Sequence, residues 1–578
     1  MESVFPDNQI TKVNKWQIKS LLLSNEGKLV ALNLVTAFFL RLFFIRYQYV
    51  INTDGVYYLI MGRKLITGDF VGGIGCYWAP FYPLMVGISS LIFNDLEFAG
   101  RFVSVVAGTL IVVPTYILIR NFYGKLAASL GAFLIVIQPN LIWNSTSLMT
   151  ESLYTLIFTT GLLVGWYALC SNKTQTFFFT GLLFGAAYLT KPEAIGFIGL
   201  FFVITIIAKL FQSRLAFYKV SVNCLLLIIG FLILSLPYVA YLNQKTGHWT
   251  ISQKVMNNLP SAGLSTPLLK LKNDGQTTTL DQLFGETYES ISQSTTVLPA
   301  PLTLPMPAVV TESALPSPSR PSPQSFAARV FDILKKELKE MVPQIFPYLF
   351  IFLAIIGLFR QPWTKLRTAK EIYLTLFLSA TLIGYSLTYA EERYLLAVVP
   401  ILLCWASNGI IEFEKWLIDS ARDFGIELQA QGGLVRAGIL VVLVLSLLPS
   451  IIRPMKANKW DQDLPFEHKM AGLWLKEHSA LSSPKVMACG PGAAYYSSGT
   501  HLYIPDEPYP AIFEYAKRQN VNYLIISERC SDIMPTLRNT SLAPLFDEQN
   551  APPELKLVYK NDEIPAYQVL MYEFTPAQ

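Results

Sequence analysis

Long apolar blocks constrain this chain more than any other feature. Most run about 17–22 residues, the length at which a helix crosses the hydrocarbon core of a bilayer. They fall near 28–48, 101–119, 126–143, 150–170, 176–190, 193–208, 219–242, 343–360, 371–389, 394–412 and 436–452. Of the 578 residues, 52% are hydrophobic and 15% charged, where a soluble domain has about one-quarter charged. The sequence therefore predicts a polytopic α-helical membrane protein with about eleven transmembrane helices. The net charge of +5 needs no nucleic acid to explain it, because cytoplasmic loops of membrane proteins collect Lys and Arg. Residues 1–27 are polar and basic, without the short apolar region of a cleavable signal peptide, and read as a cytoplasmic segment.

Charge sets the expected orientation. Lys12, Lys15, Lys19 and Lys28 precede the first span, and Arg120 with Lys125 share a loop. Further basic loops hold Lys209, Arg214 and Lys219, then Arg360, Lys365, Arg367 and Lys370, then Lys415, Arg422 and Arg436. All five regions are expected in the cytoplasm. The opposite side then takes 49–100, the turns at 144–150, 191–192 and 390–393, the segment 243–342, and everything after 453. This assignment closes only with an odd number of spans. The apolar piece 80–93 is therefore expected to lie in the interface or dip and return, and Pro80 and Pro83 suit the start of such a helix.

Three regions organise the chain: residues 1–27, a membrane domain over 28–452, and a non-cytoplasmic domain over 453–578. Within 243–342, the Pro- and Ser-rich half reads as extended or disordered. It leads into "FAARVFDILKKELKEM", where Phe326, Val330, Ile333, Leu334, Leu338 and Met341 share a helical face and Lys335, Lys336, Glu337 and Glu340 lie mostly opposite. That pattern predicts an interfacial amphipathic helix. In the last region, "FEHKMAGLWLKEH" and "YPAIFEYAKRQN" read as helices, and "KVMACG", "NYLIISE", "LKLVYK" and "YQVLMYEF" as strands. A small α/β domain follows. Its "CGPG" lacks the full glycine pattern of a phosphate-binding loop. The six cysteines show no CxxC pairing and are expected mostly as packing residues, with Cys489 and Cys530 able to pair in an oxidising compartment. Asn144 and Asn539 open sequons that matter only in a host that glycosylates them.

Charges at the mouths of spans need an explanation, because they are costly to desolvate unless paired or facing a water-filled cavity. The outer side carries Asp54, Arg63, Lys64, Asp69, Arg101, Glu151, Lys191, Glu193, Glu391, Glu392 and Arg393. Taken singly, each can be a boundary charge. Taken together, the mixture suits chemistry on a phosphate-bearing lipid. Arg and Lys hold the phosphate, and a carboxylate takes a proton from an attacking hydroxyl or amine.

The segments "NTDGVYYLIMGRKLITGDF", "YWAPFYPLMVGISSLIF" and "AGRFVSVVAGTLIVVPTYILIRNFYGKLAASLGAFLIVIQPN" resemble the core of the GT-C glycosyltransferases. The similarity is greatest to the protein O-mannosyltransferase and aminoarabinose-transferase groups, and continues in "SLMTESLYTLIF", "YLTKPEAI" and "EERYLLAVVPILL". It spans most of 30–412, and the closing region resembles the soluble tail of many bacterial members. The resemblance implies a GT-C-like membrane domain and a polyprenyl-phosphate sugar donor. Asp54 matches the first-loop acid, the presumed base. Gly55 stands where the family often has a second acid, and Ala79 where relatives often carry a phosphate-reaching Lys. Arg101 matches the arginine opening the next span, and Glu151 the acid of the second outer loop. Lys191, Arg393 and Tyr394 match basic or tyrosine positions near the donor.

The expectation is thus an inverting integral-membrane glycosyltransferase. Asp54 and Glu151 are its catalytic acids; Arg101, Lys191, Arg393 and Tyr394 bind the donor. No cofactor is implied with certainty, and a divalent metal stays open. Its partners are the lipid-linked donor, membrane lipids and an acceptor the sequence does not specify. Its location is a bacterial inner membrane, with the site facing the periplasm. Two rivals are a lipid-linked glycan ligase or polymerase, which would carry a larger outer basic cluster, and a transporter, which would show internal repeats or mid-membrane charges.

Overall fold

The structure, a computed structural model, describes residues 24–171, 173–212, 217–247, 249–252, 326–388, 390–426, 432–457, 465–504, 509–528, 542–561 and 568–575. The Pro-rich stretch, Cys530 and Asn539 lie outside the described residues. The chain divides into two compact units. One comprises residues 1–49, 57–262 and 333–457; the other comprises 50–56, 263–332 and 458–578.

The first unit is helical. Its elements are α1 (Asn25–Phe44), α2 (Thr53–Ile66, whose first residues belong to the other unit), α3 (Phe81–Ser90), α4 (Leu96–Leu110), α5 (Val112–Tyr123), α6 (Lys125–Ile137), α7 (Pro139–Thr146) and α8 (Glu151–Cys170). They continue with α9 (Thr174–Thr190), α10 (Ile195–Gln212), α11 (Phe217–Thr246), α12 (Phe326–Lys336, likewise shared), α13 (Tyr348–Phe359), α14 (Lys365–Leu387), α15 (Val399–Asp423) and α16 (Gly432–Lys456). Every one of the apolar blocks is helical. Among the described residues, six helices are long and apolar enough to span a bilayer, and up to eight if two bent pairs each count as one. The remaining expected spans are α9, α10 and α14. α9 has 17 residues, about 26 Å at 1.5 Å per residue and the short end of spanning length. α14 is long enough, but its first turns carry Lys365, Arg367, Lys370 and Glu371. α3, with 10 residues, is about 15 Å long and too short to cross, as expected for 80–93. It lies hard against α2: a Cβ on Gly62 would come within 2.6 Å of the Pro83 carbonyl oxygen, and one on Gly87 within 2.5 Å of the Gly62 oxygen.

Two bends have local causes. Pro139 has no N–H, so the helix breaks at Gln138 and turns by 51° into α7. The Ile135 carbonyl, which residue 139 would otherwise satisfy, instead accepts from Arg41 Nη2 at 3.3 Å. The second bend, 103°, separates residues 328–345 from α13 at Phe346–Pro347. The freed Ile345 carbonyl accepts from the Gln138 and Asn140 side-chain amides, and Asn140 also reaches the Gln344 carbonyl at 3.0 Å. One break is thereby stitched to the other.

After α12 the chain makes a π turn over Glu337–Met341. Here the exposure alternates within one turn. Glu337 is 0% exposed and Leu338 51% exposed. The π turn carries an extra residue per turn, and the Glu337–Met341 side of the helix faces inward, where Ser386 donates to Glu337 at 3.1 Å.

The second unit contains a five-stranded sheet of order β2-β1-β3-β5-β4. The strands are β1 (Lys485–Ala488), β2 (Thr500–Tyr503), β3 (Tyr523–Ser527), β4 (Leu555–Lys560) and β5 (Val569–Phe574). β2, β1 and β3 are parallel; β5 and β4 add antiparallel. Helices α17 (Phe466–His478) and α18 (Tyr509–Arg518) accompany it. Ala471 and Leu475 of α17 pack with Val486, Ile525 and Met571, and Ile512 and Tyr515 of α18 pack with Leu524 and Leu570. Cys489 is disulfide-bonded, whereas Cys76, Cys170, Cys224 and Cys404 form no disulfide, and three of these four are buried. The segment 50–56 belongs to this unit: the Ile51 N–H donates to the Tyr496 hydroxyl at 3.3 Å.

Candidate active site

Pro192 determines where Lys191 sits. The residue before a proline is disfavoured in the helical region, so α9 ends at Thr190 and Lys191 is extended, at φ −142° and ψ 116°. Its ammonium donates to Glu151 Oε1 at 2.9 Å, at the first residue of α8. Arg393 and Tyr394 lie in the 3₁₀ turn Glu392–Val398 that enters α15. Arg393 pairs closely with Glu391 and stands 4.0 Å from Glu151 Oε1. Its Nη1 reaches the Met149 sulfur at 3.6 Å. The Tyr394 ring lies under both cations, 4.2 Å from Lys191 Nζ and 5.3 Å from the Arg393 guanidinium carbon. Tyr385 stacks on Tyr394 with centroids 5.2 Å apart.

Burial divides these charges. The Lys191 and Glu151 side chains are 6% and 2% exposed, and those of Arg393 and Glu391 are 26% and 31%. A buried carboxylate and ammonium remain charged only because they compensate each other. Glu151 Oε2 has no hydrogen-bond partner among the described residues. The accessible part of the cluster is therefore Arg393. Beside it opens a cleft of about 430 Å³, lined by Lys336, Glu340, Met341, Gln344 and residues 390–393. With its amide turned so that oxygen and nitrogen are both satisfied, Gln344 donates to the Glu392 carboxylate across it.

The other expected site residues are placed differently. Arg101 is buried on α4, donates to Glu97 at 2.5 Å, and caps the α7 end through the Thr146 carbonyl at 3.3 Å. Asp69 accepts from the Gly72 N–H at 2.9 Å and caps a short turn. Arg63 and Lys64 lie in the last turn of α2. Asp54 lies in the first turn of α2 and is half-buried. Asn52 caps that helix, its side-chain oxygen accepting from the Gly55 N–H at 2.7 Å. Gly55 thus supplies a capped backbone donor where relatives often carry a second acid. Among the described residues, no group of three or more His, Cys, Asp or Glu could hold a metal ion.

Arg41 and Gln138 are among the buried polar residues of the membrane unit that went unrecognised in the sequence. Arg41 is fully buried and donates only to carbonyls, those of Ala37 and Ile135; its signal was a lone charge inside an apolar run. Gln138 gave itself away only as a polar residue before a proline.

Residues 78–234, from just before α3 into α11, match the dolichyl-phosphate-mannose-protein mannosyltransferase family. ArnT from Cupriavidus metallidurans, solved bound to undecaprenyl phosphate, is similar in structure with a TM-score of 0.51 at 12% identity, covering 95% of this chain and 98% of ArnT. The chain has the fold of the GT-C membrane glycosyltransferases. An oligosaccharyltransferase from Archaeoglobus fulgidus, solved tethered to an acceptor peptide, gives a TM-score of 0.50 at 12% identity, covering 97% of this chain and 75% of that one. No curated protein matches the chain. The family match, over residues 78–234, and the shared fold both point towards the membrane glycosyltransferases.

Proposed function

We propose that the protein transfers a sugar from a polyprenyl-monophosphate carrier to an acceptor on the non-cytoplasmic face, with inversion. The observation that carries this reading is the cluster of Glu151, Lys191, Arg393 and Tyr394, half sealed and half accessible. A phosphodiester donor brings one negative charge. Arg393 meets it by exchanging Glu391 for the phosphate, and bidentate geometry suits that exchange. Lys191, neutralised by Glu151, stands 4.2 Å from the Tyr394 ring and fixes the face on which Arg393 lies. The match to a family named for a dolichyl-phosphate-mannose donor, and a similar fold solved with undecaprenyl phosphate, support the donor class.

Asp54 is assigned as the general base from its match to the first-loop acid. It accepts the acceptor proton as the acceptor oxygen or nitrogen bonds to the sugar anomeric carbon. The bond from that carbon to the phosphate oxygen breaks, and its electron pair stays on the phosphate, where Arg393 stabilises it. Arg101, neutralised by Glu97, serves the site by holding the end of α7.

Membranes from cells that lack the protein, complemented with wild-type or variant chains, supply the native acceptor. Release of polyprenyl phosphate from added polyprenyl-phosphate sugars measures transfer. Asp54→Asn is expected to lower the rate about 10²–10⁴-fold with abundance and donor binding retained. Arg393→Ala is expected to raise the donor KM. Full activity of Asp54→Asn removes the base; a loss of Arg393→Ala protein without a KM change leaves Arg393 a purely structural partner of Glu391.

A further inference from the structure

The segment that carries Asp54 groups with the sheet-containing unit and is bonded to it. Tyr496 ends the short helix Gly492–Tyr496, which α17 approaches without clearance: a Cβ on Gly472 would lie 2.5 Å from the Ala493 oxygen and 2.8 Å from Tyr496 Cβ. Lys469, also on α17, sets its ammonium 4.8 Å from the centre of the Tyr496 ring. Tyr496 is thus held at its Cβ by α17 and over its ring by Lys469, and its hydroxyl accepts from the Ile51 N–H at 3.3 Å. Val50 and Ile51 are buried. From there to Asp54 every residue has a structural assignment. Asn52 caps α2 through its side chain to Gly55 and through its carbonyl to the Val56 N–H at 3.1 Å. Thr53 and Asp54 are the first helical residues. Moving Ile51 moves the cap, and moving the cap moves the carboxylate.

We propose that Tyr496 is a positioning residue for Asp54, so that the C-terminal unit sets the geometry of the base through one hydrogen bond to the Ile51 backbone. This rests on the proposed role of Asp54. A displacement near 1 Å at a reacting group costs about 10²-fold in rate, so a tether three residues away has leverage.

Tyr496→Phe removes the hydroxyl and keeps the ring that Lys469 and Gly472 hold. In the membrane assay it is expected to lower kcat about tenfold or more, within the cost of a 1 Å misplacement, with the donor KM unchanged. Amide hydrogen exchange in the full-length protein is expected to accelerate in peptides covering 50–56 and to stay unchanged in β1 and β3. Lys469→Met, which leaves the hydroxyl in place, is expected to change kcat less than Tyr496→Phe. A Tyr496→Phe protein with wild-type kcat overturns the inference, and unchanged exchange over 50–56 overturns the tether itself. Absence of transfer by the wild-type protein instead overturns the functional reading on which it rests.

Discussion

A carboxylate buried at the start of α8 stays ionised only if cations compensate it, and Glu151 has Lys191 at 2.9 Å and Arg393 at 4.0 Å. Removing one partner of such a pair strands the other. Glu151→Gln is expected to destabilise the protein by about 3–5 kcal/mol, because the buried Lys191 ammonium loses the carboxylate 2.9 Å away. Glu151→Gln with Lys191→Met should recover much of the loss. Thermal unfolding in detergent checks this; a double variant no more stable than either single one would show that the pair is not the coupled unit described. At this scale the charged residue types at the span ends were legible in the sequence, but not their pairing. Glu151 and Lys191 are 40 positions apart, with no local pattern to join them. Arg101 was legible as a charge at a span mouth, whereas its neutralisation by Glu97 one helical turn earlier was not weighed. The local reason for Gly55 became visible only with the cap bond from Asn52.

Elements were more legible, because an apolar run of spanning length has few other ways to satisfy its backbone. β2 escaped because four residues, "THLY", at a sheet edge give too little alternation to register. The π turn escaped because helical periodicity assumes 3.6 residues per turn throughout. The bends were half legible: Pro139 announces a break but not its partner. Gln138 joins both bends, its amide nitrogen on Ile345 and its oxygen capping α7 at Asn140. Gln138→Leu is expected to cost about 1–3 kcal/mol through unmet polar groups. It should also raise the donor KM, since Gln344, next to Ile345, bonds Glu392 beside Arg393. Unfolding midpoints and donor titration on the same preparation test both; a stability loss with unchanged KM would limit Gln138 to a structural role.

For the whole molecule, the two units invite different perturbations. The disulfide at Cys489 fits an oxidising, non-cytoplasmic location for the sheet-bearing unit, in line with the proposed orientation. That unit should also respond to acid. Burial and the neighbouring His468 push the His501 imidazole down to about 4, against the favourable bond to the Ala488 carbonyl. The unfolded chain, with histidine near 6.5, binds the proton first. The His501 contribution is therefore complete above about pH 6.5 and is lost as pH falls towards 4. The chain has four histidines, so imidazole-labelled NMR spectra should resolve one titrating near 4, absent in His501→Gln. A midpoint near 6.5 for that signal would contradict the burial described.

The stitch between Gln138 and Ile345 spans 207 positions of the chain, which gives it a history during synthesis. At about 5–20 residues per second, roughly 10–40 s pass between the emergence of the two. For that interval an amide already committed to the bilayer has no native acceptor, and the α6–α7 break is held from its own half of the chain, by Arg41 and the Gln138 cap. The N-terminal helices must therefore wait in a provisional arrangement, sheltered by the insertion machinery or by water, until the second half of the chain arrives to complete them.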